Sequence, residues 1–248
     1  MKATIVENYT LPSKGVIYKT PFNPEVNLRS MTLAEEMRRL QISDDTYRPM
    51  SEVIDDCIEN KLPISSYDMC LADYQFLLHK LRIVTYGPDY KMTVVCPVCG
   101  EKNELTLNLD TLKINEVQDN FQELTEVTLP KSQDKVKIRF QTPRMLDTMA
   151  KERKEMKKQY PDLKGDPTML ITLQNTIDEV NGRKMSKFAL QEYVKNLPMM
   201  DINFLLQKVA KLSDCFGIDP MISFTCENCG VESPASFRFT PEFFTPTY

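Results

Sequence analysis

The chain has 248 residues, 42% of them hydrophobic and 27% charged, with 31 basic against 35 acidic side chains and a formal charge of -4. That mixture supports one large or two small cores and excludes collagen, coiled-coil and wholly disordered classes. Seven glycines against sixteen prolines leave little room for a Gly-rich phosphate loop, and the slight acidic excess is not the balance of a general nucleic-acid binder.

The first residues, Met1-Lys2-Ala3-Thr4-Ile5-Val6-Glu7, meet an acidic side chain before any apolar region and read as lacking a secretory signal. No apolar run reaches the roughly 18 to 20 residues of a bilayer span; the richest, residues 76–84, is interrupted by His79, Lys80 and Arg82. The expectation is a soluble protein in a reducing cytosol, where seven cysteines point to metal ligands or buried thiols rather than disulfides.

Leu11-Pro12-Ser13-Lys14-Gly15 reads as a turn before a short strand at 16–18, and a second strand is expected at 26–29. Thr32 followed by Glu35 is a capping-box pattern that opens a helix over 33–41, and Ser51 is placed to cap another carrying Val53, Ile54, Cys57 and Ile58. A third helix over 71–86 sets Phe76, Leu77, Leu81 and Val84 on one stripe and stops at Gly87-Pro88.

Two matched knuckles carry the clearest chemistry: Cys96-Pro97-Val98-Cys99-Gly100 and Cys226-Glu227-Asn228-Cys229-Gly230. A spacing of two lets both thiolates of a pair face one ion, and two pairs supply the four soft ligands of a tetrahedral structural Zn²⁺ site. Period-two alternation before and after each knuckle, as in Phe224 ahead of the second and Leu105 and Leu107 behind the first, places each on a hairpin. Between Cys99 and Cys226 lie 126 residues. Closing such a length as a free loop would cost roughly 4 kcal/mol, less than the approximately 10 to 16 kcal/mol of structural zinc binding. The alternative is two independent redox centres, but neither pair opens a helix whose N-terminus would lower a thiol pKa. A catalytic zinc would need an open position, which four thiolates close.

Past the first knuckle, strands are expected at 126–129 and 136–140, and Pro143 marks a boundary. Helices follow at 145–158, 168–180, 187–196 and 202–216, with Asn181-Gly182 and Gly217 as stops and Ser186 and Asp201 as caps. The fold class is therefore α+β: a split zinc ribbon of two CxxC β-hairpins, with an N-terminal β/helical region and a mostly helical insert. The expected divisions are an N-terminal region at 1–89, the first hairpin at 90–110, the insert at 111–220, and the second hairpin with an aromatic tail at 221–248.

Other constellations have structural readings. His79 is the only histidine and lacks the oriented partners a general base needs. Asp44-Asp45 and Asp55-Asp56 diverge on a helix and read as solvated, and Cys57, Cys70 and Cys215 read as buried, inert thiols. The charged run at 151–158 reads as an exposed helix whose glutamates pair with basic neighbours three or four residues away. Phe243 and Phe244 either close the core or offer one ring to a partner, since adjacent side chains of an extended segment point to opposite sides.

Leu11-Pro12-Ser13-Lys14-Gly15, Met31-Thr32 with Glu35-Glu36, Leu81-Arg82-Ile83, Tyr86-Gly87-Pro88-Asp89-Tyr90, the two knuckles, Leu197-Pro198 with Asp201, and Glu242-Phe243-Phe244 occur in that order. In that order they resemble the baseplate hub proteins of contractile-tailed, T4-like phages, some described as hub components and others as factors that help the hub assemble. The resemblance implies a non-enzymatic protein of tail morphogenesis, with other phage baseplate hub proteins as partners and no small-molecule substrate. Its implied place is the host cytoplasm during assembly, or the virion baseplate. A zinc-ribbon nucleic-acid-binding or transcription-associated factor is the competing reading, and the net charge argues against it.

Overall fold

The computed structural model describes residues 5–159, 165–237, 239 and 241–244. β1 (Val6–Thr10) and β2 (Glu25–Arg29) pair antiparallel with Val6 opposite Arg29, and Val26 and Leu28 point into the core. The connection between them turns at residues 12–16. Asp73 ties it down: its carboxylate accepts from the Ser13 backbone N–H at 3.0 Å and from the hydroxyls of Ser13 and Tyr18. Residues 16–18, expected as a strand, are turn and bend, because these bonds fold the segment back onto a helix instead of a strand partner.

α1 (Leu33–Arg39) begins as expected, with the Glu35 carboxylate accepting from the Thr32 backbone N–H at 2.7 Å. The expected cap of α2 (Arg48–Cys57) is corrected. Ser51 lies buried inside the helix and donates to the Tyr47 carbonyl at 3.0 Å. The free N–H groups at this end are met from a hundred residues away by the Asp147 carboxylate, which accepts from the backbones of Thr46, Tyr47 and Arg48. α3 (Leu71–Tyr86) is the central helix, buried along most of its length, and ends at Gly87 as expected.

β3 (Asp89–Val95) and β4 (Lys102–Asn108) form the first hairpin, with Val95 opposite Lys102. After β5 (Ile114–Asn115) and α4 (Phe121–Thr125), the insert builds a three-stranded antiparallel sheet. Its strands are β6 (Glu126–Thr128), β7 (Lys135–Ile138) and β8 (Ile177–Val180), with β7 in the middle. Around it stand α5 (Pro143–Gln159), α6 (Thr168–Thr176), α7 (Lys187–Asn196) and α8 (Met199–Ser213). The helix expected over 168–180 thus stops at Thr176, and its last four residues are a strand paired with β7. Ser186 caps α7, accepting from the Ala189 N–H at 3.2 Å. Asp201 is no cap of its own helix: it is buried within α8 and accepts from the backbone N–H groups of Lys131 and Ser132. The strand expected at 221–225 is β10 (Met221–Thr225), paired with β11 (Glu232–Ser236) as the second hairpin.

Two large cores result. One gathers Leu11, Val26, Leu28, Ile54, Leu77, Leu81, Tyr90, Phe237 and Phe243 around α3; the other lies between the insert sheet and α6, α7 and α8. The insert leaves and re-enters the first core at one place. There β5 pairs antiparallel with β9 (Gly217–Ile218), Ile114 opposite Ile218, and the Asp219 N–H donates to the Lys113 carbonyl at 2.8 Å. The loop-closure problem set by the 126-residue spacing is met by this clasp.

The segment holding Phe243 and Phe244 is a 3-10 turn, Pro241–Phe244, and not extended chain. Both rings therefore turn inward, 1% and 5% exposed, and Phe243 meets Tyr90 and Phe237 edge to face. Of the two readings the sequence left open, both rings close the core, and the one that offers a ring to a partner is corrected. No helix among the described residues is long and apolar enough to cross a membrane.

Candidate metal centre

Each knuckle is a backbone loop that closes on its own first cysteine. In the first, the Cys96 N–H donates to the Glu101 carbonyl at 2.8 Å and the Gly100 N–H to the Cys96 carbonyl at 2.9 Å. The second repeats this, with Cys226 to Val231 at 3.0 Å and Gly230 to Cys226 at 2.9 Å. Val94 and Phe224, one from each hairpin, pack beneath the cysteines with Met92, Leu105 and Ala235 at their flanks, so the two hairpins share a small apolar floor.

On that floor the four sulfurs of Cys96, Cys99, Cys226 and Cys229 lie within 4.8 Å of one another. The close pairs run between knuckles: Cys96 Sγ to Cys229 Sγ is 3.7 Å and Cys99 Sγ to Cys226 Sγ is 3.6 Å. Those separations are far beyond the roughly 2.05 Å of a disulfide. Cys96 and Cys226 are buried, Cys99 and Cys229 exposed. The cluster brings the two CxxC pairs together as one site and can hold a metal ion.

The surroundings split the thiols. The backbone N–H groups of Cys99 and Val98 lower the Cys96 thiol. The Cys229 N–H, joined by the Asn228 N–H and the Asn103 amide, holds Cys226 at about 6 against the opposing effect of burial. At Cys229 the Val231 N–H pulls downward, but burial and the neighbouring sulfurs outweigh it and push the thiol up to about 12. Four thiolates this close do not ionise together unless a positive charge lies among them.

Sequence reasoning missed Asn103. It is buried, its Nδ2 lies 3.6 Å from Cys226 Sγ, and its Oδ1 accepts from the Glu227 N–H at 2.9 Å. One side chain of the first hairpin thereby fixes the second knuckle and supports one of its sulfurs. The available signal was its place in β4, where Asn103, Leu105 and Leu107 share an inward face and the polar residue stands nearest the knuckle.

The remaining candidates are scattered. His79 is fully buried in α3, with Nε2 3.0 Å from the Leu109 carbonyl. Asp55, expected as solvated, accepts from the Ser65 hydroxyl and the Ser66 N–H, and Asp45 pairs with Lys151 at 2.6 Å. The charged run on α5 is also corrected: its ion pairs reach other elements, Lys151 to Asp45 and Glu152 to Lys187, rather than neighbours on the helix. Burial raises the thiols of Cys57, to about 12, of Cys70 and of Cys215, which keeps them protonated and unreactive.

Residues 3–245 match the family model described as T4 bacteriophage base plate protein. No curated protein and no solved structure matches the chain.

Proposed function

The chain belongs to the T4 bacteriophage base plate protein family, and from that premise we propose that it builds the hub of a contractile-tail baseplate, as a hub component or as a factor that assembles it. The observation that carries this reading is the family match over residues 3–245. It acts through contacts with other baseplate hub proteins and carries out no catalysis of its own. Its place is the host cytoplasm during assembly, or the baseplate of the virion. The zinc ribbon is part of the proposal. A tetrahedral Zn²⁺ with Zn–S bonds of about 2.3 Å sets its sulfurs about 3.8 Å apart, and the inter-knuckle pairs at 3.6 and 3.7 Å fit that edge. Cys96, Cys99, Cys226 and Cys229 would hold one Zn²⁺ per chain, which supplies a staple between the hairpins and no open position for water.

Mass spectrometry of purified phage particles beside isolated assembly intermediates tests the function. A component is present in both, and an assembly factor in the intermediates alone. Absence from both overturns the proposal.

A further inference from the structure

We propose that the outer edge of β1 takes up an extended strand of another baseplate protein, one that carries a Lys or Arg across from Glu7; this rests on the baseplate reading above. Two bonds bracket the β1–β2 ladder. The Ser30 N–H donates to the Ile5 carbonyl at 2.9 Å and the Leu11 N–H to the Pro24 carbonyl at 3.0 Å, with Glu7 opposite Leu28 and Tyr9 opposite Val26 between them. Hydrogen bonding alternates along an antiparallel strand. The odd-numbered residues of β1 therefore spend their backbone groups on β2, and the N–H and C=O of Val6, Asn8 and Thr10 point away from it.

The far side of β2 shows how this chain seals an edge. There the side-chain amide of Asn60 imitates a third strand, accepting from the Asn27 N–H at 2.7 Å and donating to the Glu25 carbonyl at 2.7 Å, while the Glu59 N–H donates to the Asn27 carbonyl at 2.8 Å. In the second knuckle's hairpin, β11 carries Pro234 at its centre. β1 has neither device. Val6-Glu7-Asn8-Tyr9-Thr10 contains no Pro and no Lys, pairs without a bulge, and finds no partner for its outward groups among the described residues. The next outward carbonyl, that of Pro12, accepts from the Val117 N–H at 2.9 Å, so the open stretch ends at Thr10.

The edge selects its occupant. Donors and acceptors on alternate residues are matched by the main chain of an extended polypeptide, which adds itself to the sheet. Side chains then choose among strands. Glu7 is exposed, and its carboxylate accepts from the Tyr9 hydroxyl but forms no ion pair among the described residues. The nearby Lys80, over the Tyr9 ring, is paired with Asp110 at 3.5 Å. Val6, whose side chain points to the opposite face, is exposed as well. An incoming strand with a basic residue across from Glu7 and an apolar one across from Val6 satisfies both. A second copy paired about Asn8 would instead set two Glu7 carboxylates diagonally on one face with no cation between them.

The test passes the other proteins of the same baseplate, purified one at a time, over the immobilised full-length chain, and follows amide hydrogen exchange of that chain by NMR. In the free chain the amides of Val6, Asn8 and Thr10 should exchange faster than those of Glu7 and Tyr9, and a retained partner should slow the three outward amides about tenfold or more. Asn8→Pro removes an outward N–H that β2 does not use, so it should cut affinity about tenfold or more at an unchanged melting temperature. Glu7→Lys should weaken binding several-fold and, if the proline variant melts early, carries the affinity test alone. Outward amides already slow in the free chain overturn the proposal, because the edge is then covered from within. A partner bound equally by wild type and Glu7→Lys, with no slowing at the three amides, overturns this edge and leaves the baseplate reading standing. Wild type that retains no baseplate protein also overturns the edge, and the mass spectrometry of particles and intermediates decides the baseplate reading separately. Self-association in sedimentation that is lost in Asn8→Pro overturns the choice of occupant.

Discussion

His79 shows what a single buried ring does to stability. Its Nε2 lies 3.0 Å from the Leu109 carbonyl and therefore carries the proton, which leaves Nδ1 bare and without a partner among the described residues. Burial first, and then the charge of Lys80, lower its pKa from 6.5 to about 4. The unfolded chain thus binds a proton below pH 6.5 that the folded chain refuses until about pH 4. Stability from this residue is present above pH 6.5 and falls as the pH drops across that window, by about 3 kcal/mol in all. Denaturation of wild type and His79→Gln between pH 7 and 4 checks it: the variant should lose this part of the acid sensitivity, and parallel curves would contradict the assignment. From the sequence, His79 is legible as a helix residue without catalytic companions. That its ring reaches a carbonyl thirty residues onward is not, because helix periodicity gives a direction and no partner. Arg82 is a harder case. It interrupts an apolar run and so suggests solvent, yet it is buried and donates to the carbonyls of Gly87, Asp89 and Phe243.

At the scale of elements, α3, α7 and the two hairpins are legible from periodicity and stop signals, and the failures share one cause. Asn181-Gly182 terminates helices and also makes tight hairpin turns. Here both residues have positive φ, 50° and 73°, and Val180 bridges Arg183, so the dipeptide turns a strand rather than stopping a helix. The preceding four residues go to β8 because β7 offers an open edge, which no local preference records. Gly182 and Gly217 then make a graded prediction. A Cβ at Gly182 meets nothing within 4 Å, whereas at Gly217, with φ of 104°, it would stand 3.0 Å from the Ala72 Cβ. Gly182→Ala should cost about 1 to 2 kcal/mol from backbone strain alone. Gly217→Ala should cost more, since it also pushes the clasp away from α3. Urea denaturation of the two variants gives the order, and equal losses would show that the clasp yields freely.

Across the whole molecule, the α+β class and the pairing of the knuckles are written in the spacing of four cysteines. What joins the parts is not. The clasp strands are two residues each, too short for any period, Asp147 serves a backbone group 101 residues away, and Asp201 serves one 70 residues away. Such caps look from sequence like ordinary helix carboxylates. Because Cys226 belongs to the second hairpin and its site is completed by the first, Cys226→Ser should part the two hairpins, while the β5–β9 clasp still holds the ends of the insert. The expected loss exceeds the roughly 0.5 to 3 kcal/mol of a typical point change, and elemental analysis should find the proposed one Zn²⁺ per chain in the wild type and none in the variant. An unchanged melting temperature would count against the staple. Chelation of the wild type should reproduce the variant, and restored metal should reverse it.

The same long connection sets a timetable for synthesis. With 126 residues between Cys99 and Cys226, and elongation at about 5 to 20 residues per second, the first knuckle waits on the order of 6 to 25 seconds as half a site before its other ligands leave the ribosome. Phe237 and Phe243, which fill the core around α3, emerge later still, and the Arg82 guanidinium formed near the start of that wait finds the Phe243 carbonyl only at its end. Of the two cores, the insert's is the one whose residues are all made before the second knuckle, so the middle of the chain can fold while its beginning is still open.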